Sequence, residues 1–406
     1  PWPDPLPGDI DLVALVDEAL ADESDRGGGP SVAGWHPWTS GTVPLAMADD
    51  PDAQTQYPMG WTPADGNMIV YGIGGSGTTT ALTSVVLGLA RLRSPDDVHI
   101  YALDFGAGDL AALETLPHVG GVLLASERER QTRLIRHLRT ELDRRRAAGA
   151  AAVRAEPVVV TLVDGWSAFA AEYNDLAGNA VWEAFVRVLA DGPEVGLYAV
   201  IAADRAMAVP STIASLVRQR LALRLADKND YSNFGVRSAA VPEMVPGRAL
   251  VAGTGQVVQI ARPLDGAAAA AVRIAAAHPT PSRPPLRIEP LATELGFAEL
   301  GGAAQLENRP WVVPVGVAER TRAAAGLVAY QGEHALVAGE VEVKENGRLL
   351  RVLSKGDCFG ETALLSDVPR TTTVRARAPL ALYALDRRHF VPTVSGHSES
   401  AAAAET

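Results

Sequence analysis

The sequence offers almost nothing for a disulfide framework or a cysteine-rich metal centre. It contains a single cysteine, Cys358, in 406 residues, and an internal disulfide needs two. Such cysteine usage fits a reducing, cytoplasmic setting. Apolar runs as long as a membrane span are also lacking. With 47% hydrophobic and 21% charged residues, the chain is expected to fold into soluble domains with a sizeable core.

An excess of positive charge is lacking too. The net charge is −12 at pH 7, which disfavours a broadly cationic surface for binding nucleic acid. The chain begins at Pro1-Trp2-Pro3, with neither an initiator Met nor a signal-peptide pattern. We therefore expect a fragment of a longer polypeptide, with no transmembrane segment in this part.

A glycine-rich turn links a short apolar run at 67–71 to the amphipathic run that follows it. This order predicts a buried strand, a phosphate-binding loop and a helix. In the register G-x-x-x-x-G-K-[ST], the hydroxyl position that ligates nucleotide-bound magnesium is Thr79, but the lysine position is Thr78. The candidate nucleotide-binding residues of the loop are Gly72, Gly74, Gly75, Ser76, Gly77, Thr78, Thr79 and Thr80.

Loss of the lysine affects binding and hydrolysis differently. Backbone N–H groups of the loop and the helix N-terminus attract phosphate without help from a side chain, so ATP with Mg is the expected ligand. The missing ammonium group would have offset charge that develops during phosphoryl transfer, so hydrolysis is expected to be slow or absent. An ordinary glycine-rich turn without a ligand is the alternative that the loop alone leaves open.

A second motif, 157–166, contains a run of β-branched and aliphatic residues that ends in Asp164. It has the form of a Walker B strand, whose carboxylate orients the magnesium shell. Thr79 and Asp164 are thus the candidate metal-site residues. The next residue, where a glutamate often polarises water, is Gly165, so the general base is missing.

Further apolar runs alternate with helical patterns, which predicts an α/β fold with a mainly parallel sheet covered on both faces. Strands are predicted at 98–104, 197–205 and 221–225, helices at 9–21 and about 127–148, and a hairpin at 246–253 and 256–261. Arg205, Arg224 and Arg248 could each reach a phosphate, although an ordinary surface or ion-paired arginine is the commoner role.

The ordered series of motifs resembles the FtsK/SpoIIIE family of RecA-like motor ATPases, and within it the EccC-like tandem ATPase domains of type VII secretion. The resemblance covers about residues 1–263 and rests on the segments 1–7, 49–54, 72–79, 116–122, 162–166 and 246–248. It implies a RecA-like P-loop domain that couples ATP binding to movement of DNA or of a protein substrate. It also implies that later domains of the tandem have weakened catalytic motifs, a condition that Thr78 and Gly165 resemble.

A second resemblance lies towards the C-terminus. Residues 356–374 resemble the phosphate-binding cassette of cyclic-nucleotide-binding domains, and 340–353 precede it as a predicted hairpin with an Asn346-Gly347 turn. The resemblance implies cyclic AMP or cyclic GMP as a further ligand. It also implies a smaller, β-roll-like domain whose completeness stays open. The candidate binding residues are Phe359, Gly360, Glu361, Thr362, Ala363, Arg370, Thr371 and Thr372.

These observations divide the chain into six regions. They are an N-terminal segment wrapping the ATPase core (1–64), the P-loop ATPase domain (65–263), an Ala/Pro-rich linker (264–310), the remnant-like start of a further ATPase repeat (311–339), the cyclic-nucleotide-binding-like domain (340–396) and a tail (397–406).

The sequence is interpreted as a catalytically degenerate, ATP-binding module of a type VII secretion or translocation machine, regulated through its C-terminal domain. The expected partners are other ATPase domains of the same or neighbouring chains and small secreted proteins, at the cytoplasmic face of the membrane. Two alternatives stay open. One is a non-enzymatic protein-interaction scaffold, and the other is a component of a DNA translocase, which the acidic charge disfavours.

Overall fold

A computed structural model describes residues 4–25, 41–149, 153–174, 179–290, 311–317, 324–329, 334–338, 341–345, 348–353, 372–377 and 381–385. These residues form two compact units, the first of which ends at Pro290. The helices of the first unit are α1 (Leu12–Asp25), α2 (Thr78–Leu92), α3 (Arg128–Ala148), α4 (Trp166–Tyr173), α5 (Asn179–Asp191), α6 (Ser211–Ala214) and α7 (Ala267–Ala276). None of the helices in this described part of the chain has the length and apolar character needed to cross a lipid bilayer.

The first unit is built on one ten-stranded sheet. Its strands are β1 (Val43–Asp50), β2 (Thr55–Trp61), β3 (Met68–Tyr71), β4 (Val98–Asp104), β5 (Val119–Leu124), β6 (Val158–Asp164), β7 (Leu197–Ala203), β8 (Gln219–Ala222), β9 (Arg248–Val251) and β10 (Val257–Ile260). The order across the sheet is β2-β1-β10-β9-β8-β3-β7-β6-β4-β5. The six strands from β8 to β5 run parallel, and the other four pair antiparallel. The predicted α/β architecture with a mainly parallel sheet is confirmed.

Apolar side chains fill both faces of the sheet. One core joins α1, α2 and α7 to the strands, and the other joins α3, α4 and α5 to the opposite face. All seven residues of β6 are buried, as expected for a central parallel strand that helices cover on both sides. The predicted continuous apolar runs of β4, β6 and β7 are thus three adjacent strands in the parallel part of the sheet.

Two strands were missing from the sequence prediction. β1 and β2 form an antiparallel hairpin that extends the sheet beyond β10. Pro44 lies next to a register shift in β1, and Pro58 lies in β2, the edge strand of the sheet. Proline is tolerated at bulges and edges because it cannot donate a ladder hydrogen bond, and its presence in both runs hid the strand pattern.

The other predicted elements differ from the structure mainly at their ends. The long helix at about 127–148 is confirmed as α3, and the terminal hairpin is confirmed as β9 and β10. The first helix begins at Leu12 instead of residue 9 and continues to Asp25. The strand predicted at 221–225 is β8, which ends at Ala222 because its ladder partner β3 ends at Tyr71, where the glycine-rich loop begins.

Residues 278–290, within the predicted linker, pack along the outer parallel strands. The hydroxyl of Tyr101 donates to the carbonyl of Leu286 at 3.1 Å. The amide of Ile288 donates to the carbonyl of Gly120 at 3.0 Å, and the Ile288 side chain is buried. We call residues 278–290 the strap. It belongs to the first compact unit.

The second unit contains antiparallel strand pairs. Its strands are β11 (Trp311–Val317), β12 (Ala324–Ala329), β13 (His334–Ala338), β14 (Val341–Glu345), β15 (Arg348–Leu353), β16 (Thr372–Ala376) and β17 (Ala381–Leu385). β11 pairs with β12, β13 with β17, and β14 with both β15 and β16. The predicted hairpin at 340–353 is confirmed by β14 and β15, since Glu345 faces Arg348 across the two turn positions.

Candidate functional site

The glycine-rich loop follows β3, a central strand of the ten-stranded sheet. Gly72 donates through its amide to the carbonyl of Ala203 at 2.9 Å, which ties the loop to the end of β7. Gly77 is the N-cap of α2 and has a left-handed backbone with φ of 109°, a region that favours glycine. The loop therefore delivers the N-terminus of α2 to the carboxyl edge of the sheet, where ligands of open α/β folds bind.

Several backbone amides of the loop have no partner in the part of the chain that the structure describes. Within the described residues, no acceptor is found for the amides of Gly74, Gly75, Gly77, Thr78, Thr79 and Thr80. The first N–H groups of a helix have no intrahelical partner and carry partial positive charge. Together these amides form a site for an anion such as a phosphate group.

Thr79 and Asp164 meet at this edge. The Thr79 hydroxyl donates a hydrogen bond of 2.7 Å to Oδ2 of Asp164. Asp164 is only 5% exposed. Burial raises the pKa of its carboxyl group above the usual value, whereas the bond from Thr79 lowers it and the nearby Asp104 carboxylate raises it further. The structure thus brings together the two residues that the sequence assigned to a magnesium site.

A cavity of about 420 Å³ lies over the loop. It falls within the size range of small-molecule sites. Its lining combines the loop with three carboxylates, those of Asp109, Asp164 and Asp204. The predicted loop residues that line it are Gly72, Gly74, Gly75, Gly77, Thr78, Thr79 and Thr80. The predicted Ser76 is buried, and its hydroxyl has no hydrogen-bond partner among the described residues.

Sequence reasoning missed the acidic character of this cavity. Asp104 ends β4, Asp164 ends β6 and Asp204 directly follows β7. These three strands are neighbours and parallel, so their carboxyl ends meet at one edge. An aspartate at the end of each of three buried strands was the available signal. Asp109 lies beyond β4, at the start of the 3-10 helix Asp109–Thr115, and carried no such signal.

A second cavity, of about 430 Å³, is also lined by Gly75, Gly77 and Thr80. Its further lining includes Val245, Pro246 and Ile260. The amide of Gly247 donates to the carbonyl of Ser76 at 2.8 Å, which fixes the turn at 246–248 against the loop. The two cavities share Gly75, Gly77 and Thr80 as lining residues, so both border the same part of the loop.

The position after Asp164 has no room for a side chain. Gly165 has φ of 74°, and a Cβ there would lie 2.9 Å from the backbone carbonyl of Phe105. The amide of Phe105 in turn donates to the carbonyl of Asp164 at 3.0 Å. The local backbone therefore disfavours any side chain at position 165, a glutamate included.

The three arginines considered from the sequence have different surroundings. Arg248 is held by Gln259 at 2.9 Å and by the carbonyl of Leu6 at 3.0 Å. Arg205 is exposed and lies 3.5 Å from the carboxylate of Asp204. Arg224 is exposed beside Gly75. Only Arg248 thus has a clear structural role.

Of the residues predicted to bind a cyclic nucleotide, the structure describes one, Thr372. Thr372 begins β16, and this strand pairs with β14. The other predicted residues of the cassette lie outside the described residues. They are Phe359, Gly360, Glu361, Thr362, Ala363, Arg370 and Thr371.

Comparison with curated proteins gives relatives from type VII secretion. The chain is 30% identical to the ESX-3 secretion system protein EccC3 of Mycobacterium tuberculosis over 420 aligned residues, which cover 94% of this chain and 30% of that protein. Against the first relatives found, the chain spans 28%, 26% and 30% of their length. It therefore matches less than a third of each.

Two solved structures from Thermomonospora curvata share this fold. The cytoplasmic domain of the type VII secretion ATPase EccC is 26% identical, with a TM-score of 0.61, and the match covers 80% of this chain and 40% of that one. EccC ATPases 2 and 3, solved in complex with a signal sequence peptide, are also 26% identical, with a TM-score of 0.57 over 72% of this chain and 56% of that one.

Two family profiles match separate parts of the chain. The profile of the cyclic nucleotide-binding domain matches residues 327–396, which include β13 to β17. The profile of the FtsK/SpoIIIE family matches residues 37–263, more than half of the chain, and includes the loop, α2, β6 and the turn at 246–248. The chain belongs to the FtsK/SpoIIIE family, with an EccC-like type VII ATPase fold.

Proposed function

We propose that this chain binds ATP with Mg at the loop and hydrolyses it slowly or not at all, as one module of a type VII secretion machine. The observation that carries the proposal is the combination of free loop amides with the Thr79–Asp164 contact beside a cavity of about 420 Å³. Main-chain dipoles bind phosphate without a lysine. Binding is therefore expected to persist although Thr78 stands at the lysine position.

The residues fit a magnesium ion. A threonine hydroxyl and a carboxylate are hard oxygen donors of the kind that Mg²⁺ prefers, with substrate phosphates completing its shell. Thr79 and Asp164 would hold the ion. When bound, Mg²⁺ offsets phosphate charge, which this cavity needs because its charged lining residues, Asp109, Asp164 and Asp204, are all acidic. Nucleotide binding is therefore expected to depend strongly on the divalent cation.

Slow hydrolysis follows from two positions. Thr78 carries no charge to stabilise the terminal phosphates. Gly165 provides no general base, and the Phe105 carbonyl occupies the space that a side chain would need. The chain is thus expected to hold its nucleotide as a structural or regulatory ligand.

The second cavity suits the nucleoside part of the ligand. Val245, Pro246 and Ile260 provide apolar contacts there, and Asp9 and Gln259 provide polar ones. Most small-molecule sites combine an apolar lining with a few polar groups. We place the base in this cavity and the phosphates on the loop.

The C-terminal unit is proposed to bind cyclic AMP or cyclic GMP and to regulate the module. The family-profile match over 327–396 and the antiparallel pairing of β14 with β15 and β16 support this. Arg370 and Glu361 would contact the cyclic phosphate and the ribose. Loss of a cyclic-nucleotide thermal shift in Arg370→Ala would support the assignment, and an equal shift in both proteins would refute it.

Further ATPase domains and small secreted proteins are the proposed partners, on the cytoplasmic side of the membrane. The support is the likeness to the cytoplasmic domain of EccC and to EccC ATPases 2 and 3 in complex with a signal sequence peptide. Because the chain spans less than a third of the first curated relatives found, the activity of a complete machine belongs to the proposal. The net charge of −12 argues against DNA as the cargo.

Titration of thermal stability with ATP, in Mg²⁺ and in EDTA, tests the proposal. A ligand that binds the native state raises stability by about 2.7 kcal/mol at one hundred times its Kd. An Mg-dependent shift supports nucleotide binding, whereas no shift with ATP or with either cyclic nucleotide would favour a passive scaffold.

ATPase turnover of the wild type and of Thr78→Lys tests the degeneracy of the site. Substantial turnover that is equal in the two proteins would refute it.

A further inference from the structure

Arg224 lies beside the loop because of the order of strands. β8 is the parallel neighbour of β3, so the residues that follow β8 run along the residues that follow β3. The amide of Leu223 donates to the carbonyl of Tyr71 at 2.8 Å, and the amide of Ile73 donates to the carbonyl of Arg224 at 3.0 Å. The backbone of Arg224 is thus hydrogen-bonded to the loop itself.

A buried tyrosine fixes this backbone from the other side. The Tyr231 hydroxyl donates to the carbonyl of Leu223 at 2.7 Å and accepts from the amide of Leu225 at 3.2 Å. Both residues that flank Arg224 are therefore held by one side chain. Preorganisation of this kind lowers the cost of ordering a residue on ligand binding.

The guanidinium group of Arg224 points to the middle of the loop. Its Nη2 atom lies 3.9 Å from the position that a Cβ on Gly75 would take. Gly75 lines both cavities. The guanidinium therefore lies beside the part of the loop that both cavities share.

The charge of Arg224 is available for a ligand. Within the described residues its side chain has neither an ion pair nor a hydrogen bond, unlike Arg205 and Arg248, which contact Asp204 and Gln259. Arg224 is also exposed. Phosphate groups are strong acceptors for a planar guanidinium, which binds them through paired N–H donors.

We propose that Arg224 binds the phosphates of the nucleotide and supplies, from the end of β8, the positive charge that Thr78 does not. The inference rests on the proposed nucleotide binding and adds a side-chain contact to it. It also explains how an anionic ligand could bind although the loop has no lysine and three carboxylates line the cavity.

The test is Mg·ATP affinity, measured by calorimetry on the wild type, Arg224→Gln, Arg224→Lys and Arg154→Gln. Arg154 is an exposed arginine located before β6, at the opposite end of the strand from Asp164, so its substitution removes the same charge away from the loop. We expect Arg224→Gln to weaken binding about tenfold and Arg154→Gln to bind like the wild type. Arg224→Lys should fall between them, because it keeps the charge but loses the paired donors.

A rescue variant separates a phosphate contact from a structural effect. In the Arg224→Gln background, Thr78→Lys is expected to restore the affinity for Mg·ATP, because the lysine replaces the lost positive charge. In the wild-type background, the same substitution should increase the affinity by a smaller factor, because Arg224 already supplies that charge. Wild-type-like affinity in Arg224→Gln, or no rescue by the lysine, would overturn the role of Arg224 while leaving nucleotide binding intact. Failure of the wild type to bind Mg·ATP would instead overturn the proposed function, and the role of Arg224 with it.

Discussion

The hydroxyl of Thr79 and the carboxylate of Asp164 are joined by a hydrogen bond of 2.7 Å. This contact links the first turn of α2 to the end of β6, two elements 85 residues apart in sequence. Burial raises the pKa of Asp164, so its charge costs free energy that the Thr79 bond only partly offsets. A buried carboxylate retained at such a cost is typical of functional sites.

Asp164→Asn is expected to weaken Mg-dependent ATP binding while leaving the stability of the unliganded protein almost unchanged. The amide keeps the shape and an acceptor for Thr79 but removes a buried charge, so stability without ligand should stay within about 1 kcal/mol of the wild type. The Mg-dependent part of ATP binding should be lost. Thermal unfolding with and without Mg·ATP measures both quantities, and a full Mg-dependent shift in the variant would contradict the assignment of Asp164.

Introducing a glutamate by Gly165→Glu is not expected to increase ATP turnover. The positive φ and the 2.9 Å approach of the Phe105 carbonyl should make any side chain at this position destabilising, by about 1–3 kcal/mol. ATP turnover should stay at the wild-type level even in combination with Thr78→Lys. Gly165→Ala is the matched control, since it introduces the same backbone strain without a carboxylate. A turnover gain specific to the glutamate would show that the backbone can adapt.

The sequence was sufficient to predict those parts of the site that are formed by residues adjacent in the chain. The loop at 72–79 and the strand that ends in Asp164 are contiguous patterns, and the unbroken apolar run of β6 is enough to place the carboxylate at a sheet edge. Thr78 and Gly165 stand out as departures from the expected motifs for the same reason. Each of these inferences needs only residues that are neighbours in the chain.

Other features depend on tertiary contacts that sequence patterns do not encode. The proximity of Arg224 to Gly75 follows from the pairing of β8 with β3 across about 150 residues. The strap has a proline-rich composition typical of a linker, yet hydrogen bonds from Tyr101 and to Gly120 order it. Pro44 and Pro58 broke the alternation that would have marked β1 and β2.

Ile288→Ala tests whether the strap stabilises the first unit. Ile288 is 2% exposed and packs in the core shared by α3 and β5, so truncation should cost about 2–4 kcal/mol of unfolding free energy. Leu286→Ala is the control, because its side chain is 52% exposed and should change stability by less than about 0.5 kcal/mol. Urea denaturation compares them, and equal small effects would mean that the strap contributes little.

His118→Gln is expected to make the stability of the protein less sensitive to acid. His118 is fully buried, its Nε2 donates to the carbonyl of Arg93 at 2.8 Å, and its ring meets that of His278 at 4.8 Å. Burial lowers its pKa to about 4, from an ordinary value of 6.5. Between these values the unfolded chain binds a proton that the folded chain does not. Stability should therefore fall as the pH drops from about 6.5 to 4, by up to about 3 kcal/mol from this residue.

The glutamine side chain can donate to the same carbonyl but does not titrate. His99 and His137 also have pKa values lowered by burial. They therefore reduce stability at acid pH in the wild type and in the variant alike. The difference between the two pH profiles therefore isolates His118. Urea unfolding at intervals between about pH 7 and pH 4 should give a shallower profile for the variant, by close to one proton. Parallel profiles would show that His118 is protonated in the folded state as readily as in the unfolded chain.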